Sequence, residues 1–289
     1  MNRKVHDLRT FLTLIKKDLK GYFDQPTGFI ILVIFLSITS IFFFRTALIT
    51  QEASLRPLFG IMPWLLCVFV PAATMRLVSE EQRDGTLEIL LTQPLRIWNV
   101  LLAKFMVGII FVGTGILGTI FIPLTLQASG NFDNGAIVAQ YIGTFFLTAS
   151  FVSIGLFTSS LTRNQMISFV FGISIIGLLM LGGHPLLTLA VPPVAAVLIQ
   201  GLSPLTHFEG IARGVIDLRD VVYFVGLIST FLSATFLLIR GKSVSHRSLL
   251  YRNLQLGVGG LVIFSILIGW SGSTISCLLY TSPSPRDRG

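Results

Sequence analysis

The sequence predicts an all-α membrane protein, a bundle of six membrane-spanning helices preceded by an amphipathic helix and followed by a seventh span. Three observations support this fold class. Of the 289 residues 53% are hydrophobic, and the mean hydropathy of +0.82 excludes a soluble domain. Six apolar runs are long enough to cross a bilayer. Lysines and arginines are abundant in every second loop between these runs and sparse in the others.

The first element is predicted to be an amphipathic helix that lies in the membrane interface. Its apolar stripe consists of Leu8, Phe11, Leu12, Ile15, Leu19 and Phe23, at helical spacing. On the other side, Lys16, Lys17 and Lys20 are expected near anionic head groups. A soluble arm is the alternative, but it would not need a continuous apolar stripe. The helix is expected to end at Pro26, where the chain turns into the first span.

The six predicted spans are long enough, at about 20 residues, to cross a hydrocarbon core of about 30 Å. They cover residues 28–48, 58–77, 100–126, 137–161, 165–183 and 221–239, and a seventh run starts near residue 254. The loops on one side of these spans carry fifteen lysines and arginines, against four on the other side. The N-terminus and the loop over residues 79–100 are therefore predicted to be cytoplasmic.

The loop over residues 79–100 is a charged island between two apolar runs. It contains Glu80, Glu81, Arg83, Asp84, Glu88 and Arg96, although only 12% of the chain is charged. Six charges do not stay together inside a bilayer, so the island is expected in water at a membrane face. Residues 87–92 then form a short apolar-sided run that Pro94 ends. Such a helix is suited to docking into a groove on a cytoplasmic partner.

Three features of the later part of the chain leave alternatives open. Small residues recur at Gly108, Gly113, Gly115, Gly118, Ala139, Gly143, Ser168 and Gly172. They either pack helices within one subunit or form an interface between two subunits. Residues 186–200 are too short for a span and contain paired prolines, so an interfacial or re-entrant element is expected. The charges that follow, Glu209, Arg213, Asp217, Arg219 and Asp220, are expected in one helical run as a solvated face or a vestibule lining.

Several kinds of chemistry are not supported by the sequence. Residues 240–243 look like the end of a phosphate-binding Walker A loop, but Phe236 stands where its first glycine belongs. Ser174 and His184 lie on one predicted helix, about 15 Å apart, which does not suit an intramembrane serine protease. The other histidines lack metal-ligand spacing, and the net charge of +8 follows membrane topology rather than indicating nucleic-acid binding. All ionisable residues are placed at or beyond the span ends, which argues against an ion-coupled carrier.

Residues 81–94, followed by a span that carries Lys104, resemble the signature of type-2, exporter-like ABC transporter permeases. The resemblance covers residues 1 to about 240. In that family the matching element is a coupling helix held in a cleft of the ATPase subunit, and short outer half-helices precede the sixth span. The resemblance implies a bacterial inner-membrane complex of two permease and two ATPase subunits. ATP and Mg would bind the partner ATPase, and this chain itself would bind no cofactor.

The resemblance also implies roles for individual residues. Carried over to this chain, the coupling element consists of Glu81, Gly85, Thr86, Leu87, Glu88, Leu90, Leu91 and Pro94. Arg83 and Glu88 would pair with charges on the ATPase, and Leu87, Leu90 and Leu91 would fill its groove. The leading hypothesis is therefore a permease subunit coupled to a separate ATPase. A membrane scaffold that moves nothing and an ion-coupled carrier are the alternatives.

The later part of the chain resembles a narrower branch. Residues 208–224 are similar to the permease of the gliding-motility-associated branch, its F component, although gliding itself is not implied. Residues 249–253 and the seventh span are similar to the start of that system's G component, which predicts a truncated fusion. Three parts follow: a permease domain over 1–240, a basic linker and seventh span over 241–276, and a tail over 277–289. The tail resembles a translated sequencing adapter.

Overall fold

The computed structural model describes residues 2–50, 55–87, 97–127, 134–185, 192–214 and 217–243. These parts of the chain consist of helices joined by turns, and no strand occurs among them. The all-α prediction is confirmed for this part of the chain. The predicted seventh span and the tail over 277–289 lie outside the described residues, as do Glu88, Leu90, Leu91 and Pro94.

The chain begins with α1 (Asn2–Asp24) and turns sharply into α2 (Pro26–Thr50). Gly28 permits the turn, because a Cβ atom there would stand 2.3 Å from the carbonyl oxygen of Tyr22. Along α2 most of the side chains are exposed although they are apolar. An apolar helix with an exposed surface of this kind suits contact with lipid.

The next elements are α3 (Arg56–Thr74), a turn over residues 75–78, and the short α4 (Ser79–Arg83). After the gap come α5 (Ile97–Gly118) and α6 (Phe121–Gln127). Aromatic rings join the first spans, since Phe35 of α2 stacks on Phe69 of α3 with centroids 4.2 Å apart. The predicted span over 58–77 is helical as far as Thr74, and the predicted span over 100–126 is helical except for a turn at residues 119–120.

The helix α7 (Asn134–Leu161) lies at the centre of the bundle and packs against α3 and α5. Small residues allow these close approaches. A Cβ atom at Gly155 would stand 2.0 Å from Thr74 Oγ1, and one at Gly108 would stand 2.7 Å from Val152. At Gly113, by contrast, a Cβ atom would meet nothing within 4 Å. The sequence left open whether its recurring glycines pack helices within one subunit or form an interface between two subunits. Most of them therefore pack helices within this chain.

The chain continues with α8 (Gln165–Leu181), which the side chain of Asn164 caps by accepting a hydrogen bond from Met166 N at 2.9 Å. With 17 residues it is about 25 Å long. Five helical stretches of the described residues are long and apolar enough to cross a membrane: Pro26–Ile49, Pro57–Arg83, Ile97–Thr125, Gly135–Leu161 and Leu218–Gly241. The fifth predicted span, over 165–183, corresponds to α8, which is shorter than these stretches, so the count of six stays a prediction.

Two short helices, α9 (Pro193–Leu202) and α10 (Pro204–Ala212), precede the last described helix, α11 (Leu218–Ser243). Each short helix starts with a proline, and Ser203 caps α10. A helix of 10 residues in place of a full span agrees with the expectation for residues 192–200, and residues 186–191 lie outside the described residues. The expected helical run from Glu209 to Asp220 is wrong, because α10 ends at Ala212 and Gly214 turns the chain with φ +93°.

Candidate functional site at the charged end of the bundle

One end of the bundle brings together α1, the segment over residues 75–87, the first turns of α5 and the last turn of α7. We refer to it as the charged end. A cavity of about 250 Å³ lies between these elements, and charged side chains line it: Lys17, Asp18, Arg76, Glu80, Glu81, Asp84 and Lys104. Three of the six charges in the island that the sequence singled out, Glu80, Glu81 and Asp84, therefore line a cavity beside α1.

Tyr22 and Arg76 attach α1 to the end of α3. The Tyr22 hydroxyl donates a 2.6 Å hydrogen bond to the carbonyl oxygen of Ala73, and burial raises the pKa of this hydroxyl, so it stays protonated and keeps donating. The Arg76 guanidinium lies 5.8 Å from the centre of the Tyr22 ring. It also donates to Gln25 and Thr27 and pairs with Glu80 at 3.5 Å.

The last turn of α7 holds α4 in place. The hydroxyl of Ser159 accepts hydrogen bonds from the backbone N–H groups of Val78 and Ser79, each at 3.0 Å, and donates to Met75 O at 3.0 Å. Gln82 donates from Nε2 to the carbonyl oxygen of Ser160 at 2.9 Å. Ser159 thus satisfies buried backbone N–H groups at the start of α4, and Gln82 satisfies a carbonyl oxygen at the end of α7.

Lys104 joins the elements of this end through one buried ammonium group, and its side chain is only 4% exposed. Its Nζ atom lies 2.8 Å from Glu81 Oε1 and 3.4 Å from Asp18 Oδ2, and it donates to Leu77 O at 2.7 Å. Lys104 stands seven residues after the start of α5, about 10 Å along the helix. Lys104 thus lies inside the stretch Ile97–Thr125, which is long and apolar enough to cross a membrane.

The residues predicted for the coupling element divide into an exposed tip and an inward-facing part. Arg83 is exposed and pairs only with its neighbour Asp84, at 3.1 Å, among the described residues. Thr86 is exposed as well, and Gly85 turns the chain with φ +71°. We refer to residues 83–86 as the tip. Glu81, by contrast, is turned inward to Lys104.

The position of Leu87 does not agree with the role that the resemblance implied for this residue. Its side chain is 5% exposed and belongs to the apolar core of this chain. To fill a groove on an ATPase, Leu87 would have to leave that core. Glu88, Leu90, Leu91 and Pro94, the other residues predicted for contact with the ATPase, lie outside the described residues.

The lysines predicted for the membrane interface lie on the surface of α1. Lys16, Lys17 and Lys20 are exposed, and Lys20 approaches Asp24 at 4.0 Å with both side chains in solvent. The apolar stripe opposite them is partly used within the chain, because Ile15, Leu19 and Phe23 pack against the core. Leu12 remains 56% exposed. Only part of the stripe is therefore left for lipid.

The comparison with protein families decides the class of this chain. A family described as ABC-2 family transporter protein matches residues 10–239. The chain belongs to the ABC-2 transporter family. It is accordingly a multi-pass membrane protein, and members of this family are membrane permeases without an ATPase site of their own. A comparison with curated proteins finds no match.

At the opposite end of this ABC-2 permease, α10 packs against the start of α7 and against α11. His207 Nδ1 lies 2.7 Å from Asp220 Oδ1, and its ring stacks on Tyr223 with centroids 3.9 Å apart. The Tyr223 hydroxyl donates to the carbonyl oxygen of Leu202 at 2.5 Å. This cluster fixes both short helices to α11. Sequence reasoning missed it, because it placed Asp220 in a solvated face or vestibule lining and assigned no contact to His207 or Tyr223.

An open cavity of about 570 Å³ lies beside α10 at this end. Its walls are mostly apolar, with Phe59 and Phe208 among them, and Glu209 and Arg213 lie at the cavity as exposed side chains. The predicted vestibule lining agrees with the position of these two charges. Among the described residues no group of three or more His, Cys, Asp or Glu side chains is arranged to hold a metal ion.

Proposed function

We propose that this chain is the permease subunit of an exporter-like ABC transporter and that a separate ATPase binds its tip. The observation that carries the proposal is the exposure of Arg83, Asp84 and Thr86 on a turn whose base is fixed to α5 and α7. An exposed, charged turn on a rigid base is suited to receive force from a partner. Family membership supports the same function, because ABC-2 permeases work with an ABC ATPase.

In this proposal the ATPase supplies the energy, and the permease forms the route by which the cargo crosses the membrane. ATP and Mg bind the ATPase, and this chain binds neither. Closure of two ATPase subunits would push on the tips of two permease subunits and rock their helices between inward-open and outward-open states. Because Ser159 and Gln82 fix α4 to α7, a push on the tip would move the central helix with it.

The proposal places the charged end in the cytoplasm of a bacterium, with the chain in the inner membrane. The excess of lysine and arginine in α1, in the loop after α3 and after α11 supports this orientation. We further propose that the chain belongs to the gliding-associated branch and is fused to a G-like component. The similarity of residues 208–224 and 249–253 to that system supports this. Gliding itself is not part of the proposal.

Co-purification tests the docking. An ABC ATPase from the same genome would be co-expressed with a tagged permease, either wild type or carrying R83E and D84K. We expect the double substitution to reduce the bound ATPase by about tenfold, because it reverses charges that face the partner. The matched control is R213E, an exposed arginine at the opposite end, which should leave binding unchanged. Equal binding by R83E/D84K and wild type would contradict docking at the tip.

The alternatives are tested on the same complex after reconstitution into liposomes. A permease is expected to change the ATPase rate of its partner when cargo is present, whereas a scaffold would bind the ATPase without changing its rate. An ion-coupled carrier would respond to an imposed ion gradient and ignore ATP. Transport that follows the gradient in the absence of ATP would contradict the proposed function.

A further inference from the structure

Three residues far apart in the sequence meet at one buried group. Asp18 comes from α1, Glu81 from α4 and Lys104 from α5, and the Lys104 side chain is 4% exposed. Its ammonium group has three N–H donors, and three acceptors surround it: Asp18 Oδ2, Glu81 Oε1 and Leu77 O. The donor capacity of Lys104 is therefore fully used by three separate parts of the chain.

Stability alone does not explain this cluster. A buried ion pair costs several kcal/mol of desolvation per ion, and well-packed apolar residues often serve stability equally well. Buried charged groups do hold neighbouring elements in one arrangement, because a displaced partner would leave a charge without compensation. What the cluster provides is thus a fixed geometry among α1, α4 and α5.

We propose that Lys104 is a positioning residue that fixes the tip to both α1 and α5, so that a push on the tip moves both helices. The proposal rests on the proposed function. Glu81 forms one arm of the connection, from Lys104 to the tip, and Asp18 forms the other, from Lys104 to α1. Glu81 is thereby assigned an internal contact in place of a contact with the ATPase.

The contacts of Lys104 with Glu81 and with Asp18 differ in length, and each can be removed without removing the other. Lys104 approaches Glu81 more closely than Asp18, 2.8 Å against 3.4 Å. Two carboxylates share one ammonium, and Glu81 Oε2 has no hydrogen-bond partner among the described residues although it is buried. Neutralising one carboxylate therefore leaves one complete ion pair. E81Q should loosen the tip and leave the Asp18 contact of α1 intact, whereas D18N should loosen α1 and leave the Glu81 contact of the tip intact.

Hydrogen–deuterium exchange on the purified permease tests the two arms without any ATPase. We expect E81Q to raise exchange about tenfold over residues 79–87 and to leave residues 13–22 unchanged, the effect of losing one hydrogen bond to a charged group. D18N should show the reverse pattern. D24N, which alters an exposed pair on α1, is the matched control and should change neither segment. Unchanged exchange in both E81Q and D18N would overturn the proposal.

The complex with the ATPase tests the transmission. A cysteine introduced by R213C reports on the opposite end, and its maleimide labelling rate is compared with and without ATP. E81Q is expected to bind the ATPase like wild type while the ATP-dependent change in labelling falls about tenfold. If wild type itself shows no ATP-dependent change, the proposed function fails, and the exchange experiment still decides the positioning role. A full ATP response in E81Q, D18N and K104M would overturn that role.

Exchanging the charges of residues 81 and 104 distinguishes the loss of this ion pair from a general disruption of the fold. In a D18N background, K104E should abolish the connection to Glu81, because it places two carboxylates together. Adding E81K should restore an ion pair of reversed sign and lower the exchange over residues 79–87 relative to K104E alone. Both variants lack the donor to Leu77 O, so the comparison isolates the pairing. Equal exchange in the two folded variants would count against the proposal.

Discussion

At the scale of single residues, the glycines of α7 and α5 set how closely the helices approach. Gly155 faces Thr74, and a Cβ atom there would stand 2.0 Å from the threonine hydroxyl oxygen. Thr74 is fully buried and donates to Val70 O at 2.9 Å, so it has no free space into which to move. The close contact between α3 and α7 therefore requires a residue without a Cβ atom at position 155.

Gly155→Ala is expected to destabilise the protein by about 1–3 kcal/mol, the usual cost of overpacking a core. The measurement is the midpoint of thermal unfolding in detergent, followed by tryptophan fluorescence or by light scattering. Gly113→Ala is the matched control, because a Cβ atom there meets nothing within 4 Å. Equal midpoints for the two variants would contradict the close contact of α3 and α7.

A second residue-scale prediction concerns Tyr223. Its hydroxyl donates to the carbonyl oxygen of Leu202, and its ring supports His207. Tyr223→Phe keeps the ring and removes only the hydroxyl, so we expect a loss of about 1 kcal/mol and faster hydrogen exchange in α9 and α10. Exchange in α1 and α4 is the internal control and should not change. No change in α9 and α10 would contradict the attachment described above.

At the scale of helices, the sequence predicted elements that depend on local composition and missed those that depend on distant partners. Apolar runs of sufficient length predicted the spans, because burial in lipid requires only a continuous apolar stretch. The break between Ala212 and Leu218 was missed, since it depends on Gly214 at positive φ rather than on polarity. The cluster of Lys104 with Asp18 and Glu81 was missed because the sequence places these residues in separate elements.

The attachment of α4 to α7 gives the prediction at this scale. Ser159→Ala would leave the N–H groups of Val78 and Ser79 buried without an acceptor, so we expect a loss of about 1–3 kcal/mol and faster exchange over residues 78–83. Ser174→Ala is the matched control, since that hydroxyl is exposed and donates only within its own helix. A Ser159→Ala variant as stable as Ser174→Ala would show that α4 is held by other contacts.

At the scale of the whole molecule, the two ends of the bundle serve different purposes in this account. The charged end presents an exposed tip on a base fixed to α1, α5 and α7. The opposite end holds two short helices against α11 beside an open, mostly apolar cavity of about 570 Å³. The central helix α7 contacts both ends, so a displacement of the tip has a direct path through it.

The central claim is that the tip faces the cytoplasm and receives an ATPase there. The most direct measurement is labelling of D84C with a membrane-impermeant maleimide, compared in right-side-out and inverted membrane vesicles; Cys67 is buried, and a variant with Cys277 replaced gives the background. The account predicts labelling only in inverted vesicles and slower labelling when the ATPase is bound. Labelling in right-side-out vesicles, or a rate that the ATPase leaves unchanged, would contradict it.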